Sequence, residues 1–483
     1  MRAQLILDCG GRVLSALLVT ADGQQVPCSQ DIRFVAARYV SADLLYEPRV
    51  AEAEDFIWED ALETVAKATA RDFFQRARRI GLRRPWDAQA SERALLLASP
   101  LAVLSSAVAL TDRAARASLP RVAMALLDAM LDPAFSFLAE RQIAFAEIDP
   151  IVILPAQVGR HARLVLQKLF RRRGFRPPAI VSRDLAAAVA RIDEPPGECL
   201  VLDASDEHLH LHRVSIEGGE NERRFRTLAS TTWPALGWNH WSARIAEALH
   251  VTATAAFDRA LISLLTGSPD SLKPRLTHGA LQSALDDAWV AAQRNEIAGR
   301  LREIDVSGLR VLFAGELFAL DAVRAVFGGN GVTGTPVLDQ AAGGIAGALR
   351  WLRAAEERQL VLVPGGGLRV NNFHGEAIEL VSPEQLPAAG EACFVETDLR
   401  FAGEAAKSFV MHLQWGADQT PEGNATLCAM PLELRRDSND LRLSVHLRRS
   451  RSGRRLHGTV EARMARGVVA AQAQFAEELE VRR

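Results

Sequence analysis

The first clear pattern along the chain is an apolar run at residues 5–8, a turn at Cys9-Gly10-Gly11, and a second apolar run reaching Val19 before Asp22-Gly23. Apolar strands broken by turn residues predict a β-hairpin, here with Asp8 at the end of its first strand. A second unit of the same type occupies residues 201–220. Val201 and Leu202 enter it, Asp203 ends the strand, Ser205-Asp206-Glu207 make the turn, and His208, Leu209, His210, Leu211 and His212 alternate on the way back. Two hairpins of one type predict an internally duplicated pair of α/β lobes facing a cleft.

The intervening stretches alternate between helical and strand periods. Leu62, Val65, Phe73 and Phe74 carry a helical period in 59–83, as do Met124, Leu127, Met130 and Leu131 in 121–142. IVILP at 151–155 reads as a buried strand, followed by a basic helix that Gly174 closes; 179–192 reads as a strand and an alanine-rich helix. Residues 236–249 read as a glycine turn into a helix, 276–302 as more helix, 311–328 as strand, turn and helix, and 338–352 as a small-residue helix suited to close packing. The pattern then changes. Pro364 and the three glycines after it read as a flexible linker, residues 376–466 alternate in short strands, and the end reads as one short helix. The expected organisation is two lobes, 1–192 and 193–357, a linker at 358–367, an all-β unit at 368–470 and a terminal helix at 471–483.

Composition narrows the class. At roughly 150 residues per domain, a chain of 483 residues holds about three folding units, and 48% hydrophobic with 24% charged residues describes a soluble globular protein. A net charge of −2 supplies no global field toward nucleic acid or membrane. Arginine runs at 76–84, 171–176 and 448–455 lack interleaved aromatic residues, which favours solvated faces over a nucleic-acid partner. Five cysteines, odd in number and without CxxC spacing, suit a reducing cytoplasm. The most apolar window, 94–110, is interrupted by Ser99-Pro100 and Ser105-Ser106, so it reads as two buried elements and not a membrane span. Arg2 leads directly into the first strand, without the pattern of an export signal.

Taken in order, these pieces resemble the DnaK-type heat-shock chaperone family over nearly the whole chain. The residues that carry the likeness are the hairpin at Asp8, VILPA with its basic helix and SRDLAAAVARI, the hairpin at Asp203, LGWNHWSARIAEAL, VLFAGELFALDAVRAVFG, the apolar LVLV segment, and the strand-turn-strand DLRLSVHLRRSRSGRRLHGTVEARM. The resemblance implies an α/β, actin-like two-lobe ATPase-type domain followed by an all-β, sandwich-like domain that binds substrate. It also implies a nucleotide cleft formed by Asp8, Gly10, Gly11, Arg12, Asp203, Ser205, Gly237, Gly315 and Glu316, with ATP and Mg²⁺ as cofactors. A protein or peptide client would then lie on the β unit through main-chain hydrogen bonds and apolar pockets.

The departures from the family fall on its chemistry. Ser205-Asp206-Glu207 replace the glycine turn whose backbone N–H groups would cradle phosphates, Arg183 replaces a glutamate, Glu316 a serine, and Phe318 an arginine that would stack on the base. The chain also ends soon after the β unit, so no helical lid is expected. A like-charge contact at ~4 Å and an effective dielectric of ~20 costs about 4 kcal/mol, so Asp206 and Glu207 argue against efficient ATP binding. Arg12 and Arg183 would offset part of that cost if they point into the cleft. His208, His210 and His212, at i, i+2 and i+4, share one strand face, and two readings stay open: a polar lining of the cleft, or imidazoles converging on a zinc-like ion. The functional expectation is a chaperone-type protein with a degenerate nucleotide site that acts as a protein- or peptide-binding scaffold or adaptor. The alternative is an active but divergent ATP-dependent chaperone ATPase.

Overall fold

The computed structural model describes residues 2–9, 14–31, 134–158, 160–191, 195–204, 208–219, 222–234, 236–251, 309–319, 321–328, 334–336, 343–354, 359–371, 376–401, 408–418, 423–433, 441–464 and 467–482, with a few isolated positions besides. The helices expected at 59–83 and over most of 121–142 and 276–302, the apolar window at 94–110 and the arginine run at 76–84 lie outside the described residues.

Five strands form the first sheet: β1 (Gln4–Asp8), β2 (Leu14–Val19), β3 (Gln25–Asp31), β4 (Asp149–Leu154) and β5 (Ala179–Ser182). Their spatial order is β3-β2-β1-β4-β5. The first three strands are antiparallel, while β1, β4 and β5 run parallel. Helix α1 (Arg160–Arg172) connects β4 to β5, as a parallel pair requires, and α2 (Arg183–Val189) follows β5 directly.

The same plan recurs farther along the chain. Strands β6 (Gly197–Ala204), β7 (His208–Gly218) and β8 (Glu222–Pro234) are antiparallel, and β9 (Arg310–Ala314) and β10 (Gly334–Pro336) add in parallel on the far side of β6. The order β8-β7-β6-β9-β10 therefore repeats that of the first sheet, pair for pair in direction. Helices α3 (Trp238–Ala248) and α4 (Asp321–Gly328) lie between β8 and β10 in sequence, and α5 (Gly343–Ala354) follows.

Helices α2 and α5 carry the core that both sheets share. Ile6, Ile151 and Ile153 from one sheet and Val201, Val214 and Leu312 from the other close over Ala186, Ala187, Ala188, Ile345, Ala348 and Trp351. Every residue of α2 is buried, and its alanines let α5 approach at backbone distance. A Cβ on Gly347 would lie 1.8 Å from the Ala186 carbonyl oxygen. Gly347→Ala must push the two helices apart, and such overpacking costs about 1–3 kcal/mol. A lowered midpoint in urea at an unchanged slope is the expected outcome, and an unshifted midpoint would mean that the helices tolerate separation.

Two antiparallel four-stranded sheets follow. Strand β12 (Gly367–Asn371) lies between β13 (Ala377–Val381) and β15 (Ser408–Gly416), with β16 (Ala425–Glu433) outside β15. The second of these sheets orders β14 (Ala392–Phe401), β17 (Leu441–Arg449), β18 (Arg455–Met464) and β19 (Val469–Glu478). Leu368, Met411, Leu413 and Trp415 of one sheet meet Leu443, Val445, Val460 and Phe475 of the other in a single core, which makes the unit a β-sandwich.

Two expectations are corrected here. The terminal segment 471–483 is not a helix: it is the end of β19 and a last strand, β20 (Val481–Arg482). Alanine, glutamine and glutamate favour helix locally, but Phe475, Glu477 and Leu479 are buried in alternation, and Phe475 fills the space over Gly458. Cross-strand packing overrides the local preference. Nor is 358–367 a free linker. Strand β11 (Gln359–Val363) lies parallel to β8 and accepts β20 on its other side, so the chain enters and leaves the sandwich through the second sheet. At the joint, Gly366 has a φ of +137°, and a Cβ on Gly365 would lie 1.5 Å from the Thr227 carbonyl oxygen. These glycines serve close approach, not freedom. Among the described residues no helix is long and apolar enough to cross a membrane.

Candidate functional site

The ends of β1 and β6 bring Asp8 and Asp203 to the shared core, where they are 2% and 3% exposed. Between them stands Arg183, the first residue of α2, itself 1% exposed. Its Nη1 donates to Asp203 Oδ1 at 3.2 Å, and its Nε lies 3.9 Å from Asp8 Oδ2. A buried guanidinium thus balances carboxylates from the two sheets. The neighbouring Asp184 is also buried and accepts from the Thr227 hydroxyl at 2.7 Å. Burial holds the Asp203 carboxyl above the usual carboxylate range, against the pull of Arg183 and His212 and with the added push of Asp8 and Asp184. Helix α5 seals the cluster, since a Cβ on Gly344 would lie 2.4 Å from Asp8 Oδ2.

Strand β7 sets its histidines beside this cluster. His210 is paired in register with Asp203, and His212 with Val201. Directly opposed residues share a sheet face, so the imidazoles and Asp203 point the same way, while Leu209 and Leu211 enter the core on the other side. His210 and His212 are each 2% exposed. His212 Nδ1 meets Ser230 Oγ at 2.8 Å. His210 Nδ1 meets Thr232 Oγ1 at 2.9 Å, and its Nε2 meets Gln157 Nε2 at 3.1 Å.

One direction of hydrogen bonding fits both partners of His210. The Thr232 hydroxyl donates its only proton to Asp418 Oδ2 at 2.8 Å, so it must accept from His210 Nδ1–H. Nε2 then accepts from the Gln157 amide. The relay runs Gln157 to His210 to Thr232 to Asp418, and it ties the loop after β4, the β7–β8 hairpin and the sandwich together. Asp418 is held in turn by Asn424, whose Oδ1 accepts from its backbone N–H and whose Nδ2 donates to its carbonyl. Arg163 of α1 adds a second tie to the sandwich, pairing with Glu477 of β19 at 3.3 Å.

Burial lowers the His210 pKa well below its ordinary value, helped by the nearby His212 and His208. The imidazole stays neutral in the fold while the unfolded chain takes up a proton near pH 6.5. Its contribution is therefore complete above pH 6.5 and is lost as pH falls below that value, at up to about 1.4 kcal/mol per pH unit. The raised Asp203 pKa acts in the opposite sense above the usual carboxylate value, so the informative quantity is a difference. The stability of the native chain should decline more steeply from pH 7 to 5 than that of His210→Gln. Parallel profiles in urea would sever the link to this histidine.

The residues anticipated from sequence divide three ways. Asp8 and Asp203 come together through Arg183. Gly315 follows β9 with a φ of +107°, its would-be Cβ 3.4 Å from the carbonyl oxygen of Ala204, the residue after Asp203. Gly237 caps the start of α3. Gly10, Gly11, Arg12 and Ser205, with Asp206, Glu207 and the Glu316 side chain, lie outside the described residues. Phe318 is fully buried 4.8 Å from the Phe313 ring and 5.8 Å from that of Phe327, so it is core and not a platform for a base. Both nitrogens of His210 are taken by protein partners, and among the described residues no three His, Cys, Asp or Glu side chains are grouped to hold a metal. Asp184, Thr227, Thr232, Gln157 and Asp418 carried no local signal, because each acquires its role from a partner distant in sequence.

The carboxylates do not fit a magnesium nucleotide as they stand. Asp8 and Asp203 would have to offer oxygen to an ion or its waters, and the Arg183 guanidinium holds that ground. Comparison with known protein families and with curated proteins returns no match for this chain.

Proposed function

We propose that the chain is a DnaK-like, chaperone-type protein whose two-lobe domain has stopped cycling on nucleotide and whose β-sandwich holds a protein or peptide partner as a fixed scaffold or adaptor. The repeated strand order, with α2 and α5 between the sheets, supports an actin-type pair of lobes. The observation that carries the reading is the buried Arg183 between Asp8 and Asp203. A guanidinium stays charged at any accessible pH and supplies internally the positive charge that a metal would bring. The joint agrees with this: packed glycines, β20 on β11 and the Thr232–Asp418 contact hold the sandwich against the lobes.

Titration calorimetry with Mg-ATP, followed by phosphate release at high protein concentration, tests the proposal. Neither heat of binding nor turnover is expected at micromolar nucleotide. Micromolar affinity with hydrolysis would establish the divergent ATPase instead.

A further inference from the structure

An open cleft of about 720 Å³ separates the first α/β unit from the sandwich. On one side lie Gln167 and Arg171 of α1, Pro177-Pro178, and Ala179 and Ile180 of β5. On the other lie Ser450, Ser452 and Arg454 from the turn between β17 and β18, and Arg455 and His457 from the start of β18. A smaller pocket of about 160 Å³ shares Gln167, Arg455, His457 and Glu478 with it and reaches Arg163. The groove shares no lining residue with the Asp8–Arg183–Asp203 cluster.

We propose that this cleft binds an acidic, extended peptide segment that adds to the edge of β5. Two independent features converge there. The first is charge. The acids of the floor are already committed, Glu478 to Arg455 at 3.5 Å and Glu480 to Arg449 at 3.4 Å. Glu477 is paired with Arg163. Among the described residues Arg171 and Arg454 have no ion-pair partner, and both are exposed at the cleft with His457. The walls therefore carry a surplus of fork-shaped donors suited to carboxylates.

The second feature is backbone. Strand β5 is the last strand of its sheet and pairs only with β4 among the described residues, Ala179 and Ile180 line the groove, and β20 passes close by. Extended peptides add to such an edge through main-chain hydrogen bonds, with alternate side chains read by the walls. Ala179 and Ile180, both half-buried, provide the apolar contact. The lining contains no Phe, Tyr or Trp on which a base could stack, which favours peptide over nucleic acid.

This inference rests on the scaffold reading and gives its partner a place and a chemistry. The test uses the full chain and fluorescein-labelled peptides alternating Glu with Val, with a Lys-for-Glu counterpart and a backbone N-methylated counterpart. Anisotropy should show salt-sensitive binding of the acidic peptide alone, weakened about tenfold or more by the exposed-site double variant R171E/R454E. Unchanged affinity in that variant, equal binding of the Lys peptide, or full binding of the N-methylated peptide would overturn the proposal while leaving the scaffold reading in place. Inorganic phosphate or a single-stranded oligonucleotide that displaces the peptide with the same arginine dependence would also overturn it, in favour of a general anion site. Failure of every peptide in a mixed library to bind would overturn both.

Discussion

Arg183→Gln is expected to lower stability by about 3–5 kcal/mol, the usual consequence of removing one partner from a buried ionic cluster. The reason is the arithmetic of charge. One guanidinium faces Asp8 and Asp203, with Asp184 adjacent, and all four residues are almost completely removed from water. Without the cation, the carboxylates must stay charged in a poor dielectric or take up protons, and both routes favour the unfolded chain. The accompanying neutral variant D8N/R183Q/D203N should recover much of the loss, because breaking a buried ion cluster costs more than replacing it. Magnesium supplies a sharper readout. The freed carboxylates of Arg183→Gln should bind the ion and raise its melting temperature in proportion to occupancy, whereas the native chain should not respond. Urea and thermal melts with and without millimolar Mg²⁺ check both statements. A glutamine variant as stable as the native chain would show that Arg183 is not what holds the two sheets together.

The sequence disclosed the parts of this arrangement that are local. The two hairpins, the strands at 151–154 and 310–314 and the small-residue helix at 343–354 each follow from their own spacing of apolar residues. Asp8 and Asp203 were visible because each ends an apolar strand before a turn. The role of Arg183 was only half legible. Its place at the start of an alanine-rich helix was plain, but its position between both aspartates depends on two sheets and a helix meeting. Asp418 was not legible at all, for it sits in a turn of the sandwich and acts on Thr232 of a different sheet. The misread joint and terminus share a cause. Glycine at 365–367 has little local preference and the helix preference of alanine at 470–476 is overridden, so long-range contacts with Thr227, Gly416 and β18 decide their conformation.

Thr232→Val is expected to separate the sandwich from the rest of the molecule. Valine keeps the shape of threonine and removes only the hydroxyl, which accepts from His210 Nδ1 and donates to Asp418 Oδ2. His210 then loses an acceptor and Asp418 a donor, both in buried surroundings, at about 1–3 kcal/mol for each group. The magnitude matters less than where the loss falls. Ser230→Ala serves as the control, because the Ser230–His212 bond lies within one sheet and its loss leaves the sandwich contact untouched. Scanning calorimetry should therefore show one transition for the native chain and for Ser230→Ala, but an added early transition for Thr232→Val. Limited proteolysis should open at Pro364–Gly366 in that variant alone, where the packed glycines would lose the surface they rest on. A Thr232→Val protein that melts lower yet in a single step would show that the relay stabilises the fold without fixing the sandwich in place, and the joint would then be held by β11 and β20.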